Sequence, residues 1–345
     1  MTVSVIIPVY NVERFIRRCL DSVVCQKCDG FDIECIIVDD CSPDGSMRIA
    51  REIIDAYHGN SITFRIVRHE KNKGISAARN SGIKAATGDF LFFVDSDDDI
   101  VEDAFSKLVS YSVLYPSSDV IMGTALYAEN NSLSNAALIK DGENFCLISD
   151  KHTIMEHVLR CRVDRNVWNK LIRRSLVIEH NLLFEEGILF EDVLWTYNLY
   201  LVLSSILIVS DMTYIYEYNP SSLMHTPKER SDLMVRSLVH ISKSLLDSPL
   251  EIGGKTVQFT AHALFIFHWM LRAIDYKQKH GAETSTCFAL ESQKKKLFKY
   301  SFKHFNPFMT LYFMTMFKPF CLLLKLRAFR RNIDKIDCLV YKFLR

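Results

Sequence analysis

The chain has almost no net charge: 42 Lys and Arg face 41 Asp and Glu, leaving +1 over 345 residues. Such a balance provides no positive field for gathering nucleic acid, so no nucleic-acid partner is expected. Internal repeats and low-complexity tracts are lacking. Met1-Thr-Val-Ser-Val5 enters a strand-like run with no charged segment ahead of an apolar one, so no signal peptide is read there. Without one, the ten cysteines read as reduced thiols of a cytosolic protein. Cys25 and Cys28 form a C-x-x-C, but no second pair follows at zinc-finger spacing, which favours small core residues over a structural zinc. No G-x-G-x-x-G follows the first strand-like run and no G-x4-G-K-[ST] occurs, which counts against a dinucleotide fold and a P-loop. Nor is there an uninterrupted apolar stretch of roughly 20 residues, as a membrane span requires; Phe305–Phe317 comes nearest and is cut by Lys318-Pro319.

What is present is apolar and ordered in type. Apolar residues make up 49% of the chain, whose length suits one large or two modest domains. Val3–Val9, Ile33–Val38, Phe64–Val67 and Phe90–Val94 are short β-rich runs. Between them, Phe15, Ile16, Cys19, Leu20, Val23 and Val24, then Ile49, Ile53, Ile54 and Tyr57, repeat at helical spacing. A third helix of small residues, Ala77, Ala78, Gly82, Ala85 and Ala86, is suited to lie close against a sheet. This βαβαβαβ alternation predicts a parallel sheet with helices on both faces.

The apolar run Phe90–Val94 breaks abruptly into Asp95, Ser96, Asp97, Asp98 and Asp99. Four carboxylates in five positions repel one another unless a cation sits among them. A solvated acidic loop leading to a helix cap is the plainer reading of the same residues. In parallel α/β sheets, however, ligands bind beyond the carboxyl ends of the strands. Asn11, the pair Asp39-Asp40 and the run Asp95–Asp99 each end a strand, so they should meet in one crevice.

Four stretches then resemble the signatures of family 2 glycosyltransferases: Val3-Ser-Val-Ile-Ile-Pro-Val-Tyr-Asn11, Ile36-Ile-Val-Asp-Asp-Cys-Ser-Pro-Asp-Gly-Ser46, Asn72-Lys-Gly-Ile-Ser-Ala-Ala-Arg-Asn-Ser-Gly82 and Val94-Asp-Ser-Asp-Asp98. The resemblance is strong to about residue 100 and weaker to about residue 225. Cys41 stands where many relatives carry glycine. The resemblance implies a GT-A fold: an α/β domain with a mainly parallel sheet flanked by helices, here with a helical C-terminal extension. It implies inverting transfer of a sugar from a nucleoside diphosphate donor, UDP above all, to a saccharide or lipid-linked saccharide of bacterial surface-polysaccharide type. A divalent cation held by carboxylates stabilises charge developing on a leaving diphosphate; oxygen ligands and retained water suit Mn²⁺ or Mg²⁺.

By the same resemblance Asp95-Ser96-Asp97 is the DxD, with Asp95 and Asp97 on the metal and Asp98 as a supporting or ribose contact. Asp99 reads as a helix cap. Asp40 matches the position that contacts the base, Pro8 and Tyr10 line the base pocket beside Asn11, and Arg79 reaches base or phosphate. The general base falls on Asp192, with neighbouring Glu191 as the other candidate; consecutive helical residues point about 100° apart, so one of them faces the crevice. Trp168-Asn169 resembles an acceptor-side segment in which Trp168 is either a sugar platform or a core aromatic. Val167–Glu179 reads as one helix, and residues 129–149 as an exposed loop or hairpin. His225 is a further candidate metal ligand in a loop after Ile215–Tyr218.

The domain reading is 1–225 as catalytic, divided into a nucleotide half 1–100 and an acceptor half 101–225, then 226–345 as a helical region. In 295–345, Arg327, Arg330, Arg331, Lys335 and Lys342 lie among Leu and Phe. That composition suits peripheral contact with the inner face of the cytoplasmic membrane, or a bundle packing on the catalytic domain or another subunit of an oligomer. Two other classes stay open: a non-catalytic nucleotide-sugar or glycan-binding partner of the same fold, and a nucleotidyltransferase, which normally needs a Gly-rich basic loop near the first strand.

Overall fold

The computed structural model describes residues 1–129, 131–134, 138–139, 141–159, 162–217, 219 and 227–247. Its first half follows the sequence pattern closely. Strands β1 (Thr2–Val9), β2 (Asp32–Asp39), β3 (Ile62–Arg68) and β4 (Phe90–Phe93) alternate with helices α1 (Ile16–Val24), α2 (Ser46–Ala56) and α3 (Ile75–Ala85). All neighbouring pairs among these strands are parallel, in the order β3-β2-β1-β4, with Val3 opposite both Ile33 and Phe90. Val3–Val9 is buried without interruption, as a strand covered on both faces must be. Side chains of alternate parity serve opposite faces. Val3, Val5, Ile7 and Val9 share a core with Ile16, Leu20 and Val23 of α1 and Ala50 and Ile53 of α2. On the other face, a methyl group at Gly82 of α3 would collide with the side chain of Ile6. The small residues of α3 therefore serve close packing on the sheet.

The second half mixes strand directions. After β5 (Asp99–Ile100) and α4 (Ala104–Leu114) come β6 (Val120–Tyr127), β7 (Ser132–Leu133), β8 (Phe145–Ile148), α5 (Lys151–Leu159), β9 (Lys170–Arg173), α6 (Arg174–Glu179), α7 (Glu191–Val202) and β10 (Ile206–Tyr216). The sheet continues from β4 through β9, β6 and β10 to β5. β9 is antiparallel to both β4 and β6, whereas β6 and β10 are parallel. The expected single helix over 167–179 is thus corrected: Lys170–Arg173 fills the gap between two parallel blocks, and only α6 is helical. Burial of Lys170, Leu171 and Ile172 in succession marks a two-sided strand, which a short apolar run does not distinguish from a helix by periodicity. The polar region 129–149 contributes β7, folded back on β6, and β8, paired with β10.

Two compact units divide the chain. The first, Met1–Ile154 with Asp164–Gly187 and Glu191–Pro220, holds the whole sheet. The second includes Met155–Val163, Ile188–Phe190 and α8 (Pro227–Asp247), whose Met234, Val235, Leu238, Ile241 and Leu245 form a buried stripe. The Ser237 hydroxyl there accepts a hydrogen bond from the Leu189 amide at 2.9 Å. Among the described residues no helix is long and apolar enough to cross a membrane.

Candidate active site

The acidic turn is built by the strands on either side of it. The Val94 amide bonds to the Ile6 carbonyl, and the Asp98 amide closes the turn on the Asp95 carbonyl at 3.0 Å. β5 then pairs antiparallel with β10, Asp99 opposite Ile215. The Tyr214 hydroxyl from β10 accepts the Asp95 amide at 3.2 Å and donates to Asp98 Oδ2 at 2.8 Å. The Glu217 amide donates to Asp98 Oδ1 at 2.9 Å. Asp98 is 1% exposed with both oxygens engaged; of the supporting and ribose contacts expected of it, the structure displays the supporting one, a brace inside the turn. Burial, then the charges of Asp95 and Asp97, push its carboxyl upward. Ser96 is buried beside it.

Asp99 is reassigned. α4 begins after Asp103, and Asp99 instead pairs with Arg18 of α1 at 2.9 Å. Arg18 Nη2 donates to the Asp97 carbonyl at 2.8 Å, so a cation of the amphipathic first helix clasps the back of the turn. Asp97 Oδ2 accepts from Asn219 Nδ2 at 2.8 Å. Burial and the neighbouring charge of Asp95 raise the Asp97 carboxyl, with Asn219 and Arg18 opposing them.

Arg79 reaches this turn from α3. Its Nη2 meets Asp95 Oδ1 and its Nη1 meets Glu191 Oε1, each at 2.7 Å. The guanidinium carbon lies 5.3 Å from the centre of the Phe184 ring, and Nε is buried without a hydrogen-bond partner. Burial alone would favour the neutral form, but the charges of Asp95, Glu191 and Asp192 outweigh it. Arg79, from which a base or phosphate contact was expected, is 3% exposed and holds both carboxylates.

The nucleotide-side loops meet at the ends of β1 and β2. Pro8 is buried in β1 opposite Val38, Tyr10 is 45% exposed, and Asn11 takes a left-handed φ of 55° while its amide donates to Ser42 Oγ. Cys41 holds a φ of 58°, the conformation for which glycine has no steric penalty. Asp44 ties this loop together, accepting from the Ser42 and Ser46 hydroxyls and from the Ser46 and Glu13 amides. Asp40 is buried and takes His69 Nδ1 at 2.6 Å together with the amides of Lys73 and Gly74, each at 2.8 Å. It thereby joins the second motif to the third.

On the acceptor side, Trp168 is 6% exposed and stacks on Tyr214 with ring centroids 4.6 Å apart and planes 8° apart. It packs on Tyr216 as well, so of the two readings of Trp168 the packing matches the core aromatic. Asn169, at φ 59°, links Gly123 of β6 to Thr213 of β10. Lys170 is fully buried and donates to the Asn166 and Trp168 carbonyls and to Asn166 Oδ1. Burial lowers its ammonium to about 8, against the fields of Asp164 and Asp192.

The chain enters α7 through Phe190 at φ 61°, so Glu191 and Asp192 occupy the first turn of the helix. Glu191 is committed to Arg79, while Asp192 Oδ1 accepts, among the described residues, its neighbour's Val193 amide at 2.9 Å. Burial, then Glu191, raises Asp192 to about 7 despite Arg79. Sequence reasoning missed Arg18, His69, Lys170, Tyr214 and Asn219. Their signals were helix polarity for Arg18 and the aromatic alternation in which Tyr214 stands; the others carry no motif.

Asp95 and Asp97 fit a hard divalent cation. They offer oxygen donors, and Asp97 is a desolvated carboxylate beside a second one. No cluster of three or more His, Cys, Asp or Glu arranged for a metal occurs among the described residues. His225 lies outside the described residues.

Comparison with known proteins agrees with this geometry. The family Glycosyl transferase family 2 matches residues 4–169. The uncharacterized glycosyltransferase EpsJ of Bacillus subtilis is 34% identical over 227 residues, 65% of this chain and 63% of EpsJ, so the chain spans less than two thirds of that relative. The glycosyltransferase GlyG of Streptococcus pneumoniae is 30% identical over 260 residues, 72% of this chain and 81% of GlyG. Staphylococcus aureus TarS, a poly(ribitol-phosphate) beta-N-acetylglucosaminyltransferase, is 28% identical over 224 residues, 63% of this chain and 35% of TarS. The crystal structure of its residues 1–349 with UDP-GlcNAc superposes with a TM-score of 0.62 at 20% identity, covering 87% of this chain and 81% of that one. The sheet order is therefore that of a GT-A fold, and the motifs ending its strands place the chain in glycosyl transferase family 2.

Proposed function

We propose that this chain transfers a sugar from a UDP-sugar to a saccharide or lipid-linked saccharide acceptor, with inversion at the anomeric carbon. The observation that carries this reading is the Asp95–Arg79–Glu191 bridge, which ties the acidic turn to the helix start bearing Asp192. A donor-side acid pair and an acceptor-side base are thereby held at one site. The UDP assignment draws support from TarS, solved with UDP-GlcNAc.

Asp95 and Asp97 would hold Mn²⁺ or Mg²⁺, which neutralises charge on the departing diphosphate. Asn219 orients Asp97, and Arg18 fixes the backbone behind it. The loops at Tyr10–Asn11 and Asp40 flank the nucleotide. Asp192 removes the proton from the acceptor hydroxyl as that oxygen attacks the anomeric carbon from the face opposite the diphosphate. A base raised to about 7 suits this role, since it is substantially ionised near neutral pH yet basic enough to accept the proton. Residues 1–225 make up the catalytic region in this reading. Residues 295–345 lie outside the described part, and we assign them peripheral attachment beside a lipid-linked acceptor at the inner face of the cytoplasmic membrane.

Release of UDP from a panel of UDP-sugars in the presence of Mn²⁺ tests the reaction. Asp97→Asn should lose at least about 100-fold in turnover, the order of magnitude of one lost electrostatic contact to the transition state. Undiminished turnover in that variant, or in excess chelator, would remove the metal from the scheme.

A further inference from the structure

Arg79 and Asn80 are neighbours on α3, within the motif that resembles a donor-binding signature, yet both turn toward the acceptor side. We propose that they form a bracket that positions the Glu191–Asp192 pair against the acidic turn, acting on the reaction through these groups and not as nucleotide contacts. The inference rests on the glycosyltransferase reading above for its consequence in turnover, but its structural content stands independently.

Asn80 holds main chain. Its Oδ1 accepts the Phe184 amide at 2.7 Å and its Nδ2 donates to the Phe184 carbonyl at 2.9 Å, with Glu186 Oε1 at 3.4 Å. A paired amide clasp of this kind fixes a backbone as a neighbouring strand would. Arg79 caps the same residue from above, its guanidinium over the Phe184 ring. That ring in turn stacks on Trp195 of α7, with centroids 4.7 Å apart and planes 4° apart. The second grip is the guanidinium itself, between Asp95 and Glu191. The base of the bracket is rigid: Gly82 brings α3 hard against Ile6, and β1 pairs with β4, whose end carries Asp95.

The electrostatics point the same way. Charged groups whose fields reach Asp192 include Glu191, Arg79 and Asp95, and Asp192 in turn acts on Lys170. Arg79 is the cation placed between the carboxylates, and without it the repulsion among Asp95, Glu191 and Asp192 grows. A direct phosphate contact would require the buried Arg79 guanidinium to leave Asp95 and Glu191, and stripping a buried charge of its partners is costly.

The test compares wild type with Arg79→Met, Arg79→Lys and Asn80→Ala in the full chain. Hydrogen exchange is read without nucleotide, UDP affinity by calorimetry with Mn²⁺, and kcat, KM and the pH profile by UDP release. Amides of Phe184–Gly187 and Glu191–Trp195 should exchange at least about tenfold faster in Arg79→Met and Asn80→Ala, while those of β1 and β2 keep their protection. UDP affinity should stay within about threefold, kcat should fall about 100-fold as for a misplaced catalytic group, and the acid limb of Arg79→Met should move to higher pH. Arg79→Lys should recover part of kcat. Unchanged exchange, or UDP affinity weakened more than about tenfold with kcat preserved, overturns the bracket and makes Arg79 a nucleotide ligand. A wild type that turns over no UDP-sugar defeats the functional reading alone, because exchange at Phe184 still decides the bracket.

Discussion

At the scale of single residues, the two members of the Glu191–Asp192 pair are separated by their partners. Glu191 is paired with the Arg79 guanidinium; Asp192 has, among the described residues, one backbone amide and a raised proton affinity. Asp192→Asn should therefore abolish transfer by about 10²–10⁴-fold, the usual worth of a general base, while calorimetry shows UDP binding retained. Full activity in that variant would move the base elsewhere. In the wild type, kcat should rise with pH through about 7, because only ionised Asp192 accepts a proton. The sign for stability is opposite. A carboxyl raised in the folded state contributes stability that is fully present below its unfolded value of about 4 and lost as pH rises through its folded one. Asp192→Asn should consequently melt no lower than wild type at pH 8, and a large drop there would mean that the charge supports the fold. The family resemblance marked Asp192 in the sequence as the base candidate beside Glu191. The division of labour with Glu191 was not legible there, since it depends on Arg79, 112 positions away along the chain.

At the scale of elements, the acidic turn owes its shape to β10 more than to its own residues. β5 is only two residues long and pairs through Asp99 and Ile100, too little to fix a turn of repelling carboxylates. The Tyr214 hydroxyl provides the missing tie by joining the Asp95 amide to Asp98. Tyr214→Phe keeps the ring stacked on Trp168 and removes only that oxygen, leaving Asp98 short of a donor. A loss of about 1–3 kcal/mol in a denaturant titration is expected, together with weaker UDP binding in Mn²⁺. Stability and binding both equal to wild type would show that Glu217 alone suffices. The run Phe90–Val94 announced β4, and helical spacing announced α1 and α2, because period and burial agree there. β9 was misread for the opposite reason: residues 167–172 are buried in succession with Asn169 and Lys170 among the apolar ones, so no alternation shows, and the strand character comes from slots offered by β4 and β6. Trp168 was ambiguous on the same grounds, since a stacking face and a core face have the same composition.

At the scale of the molecule, the donor-side residues Asp40, Asp95, Asp97 and Asn219 and the base candidate Asp192 all belong to the unit that contains the sheet. The four motifs made this half legible because each sits at a strand end whose place the parallel topology dictates. Beyond residue 225 the helical reading matches α8, but for 295–345 there was only composition, which admits either a membrane surface or a protein surface. Intact protein should cosediment with anionic liposomes and dissociate as salt rises, through Arg327, Arg330, Arg331 and Lys335. No binding to such vesicles would leave packing against protein. Donor binding, by contrast, should be visible in global stability, because a ligand that prefers the folded state adds RT ln(1 + [L]/Kd). UDP at about 100 times its Kd, with Mn²⁺, contributes about 2.7 kcal/mol. For a folding unit of this size that raises Tm on the order of 5 °C. Chelation should remove most of the shift, because buried Asp97 beside Asp95 disfavours a diphosphate unless a cation enters with it. The same shift with and without chelator would mean that the acidic turn holds UDP through Arg18, Asn219 and backbone groups, and that its carboxylates serve no metal.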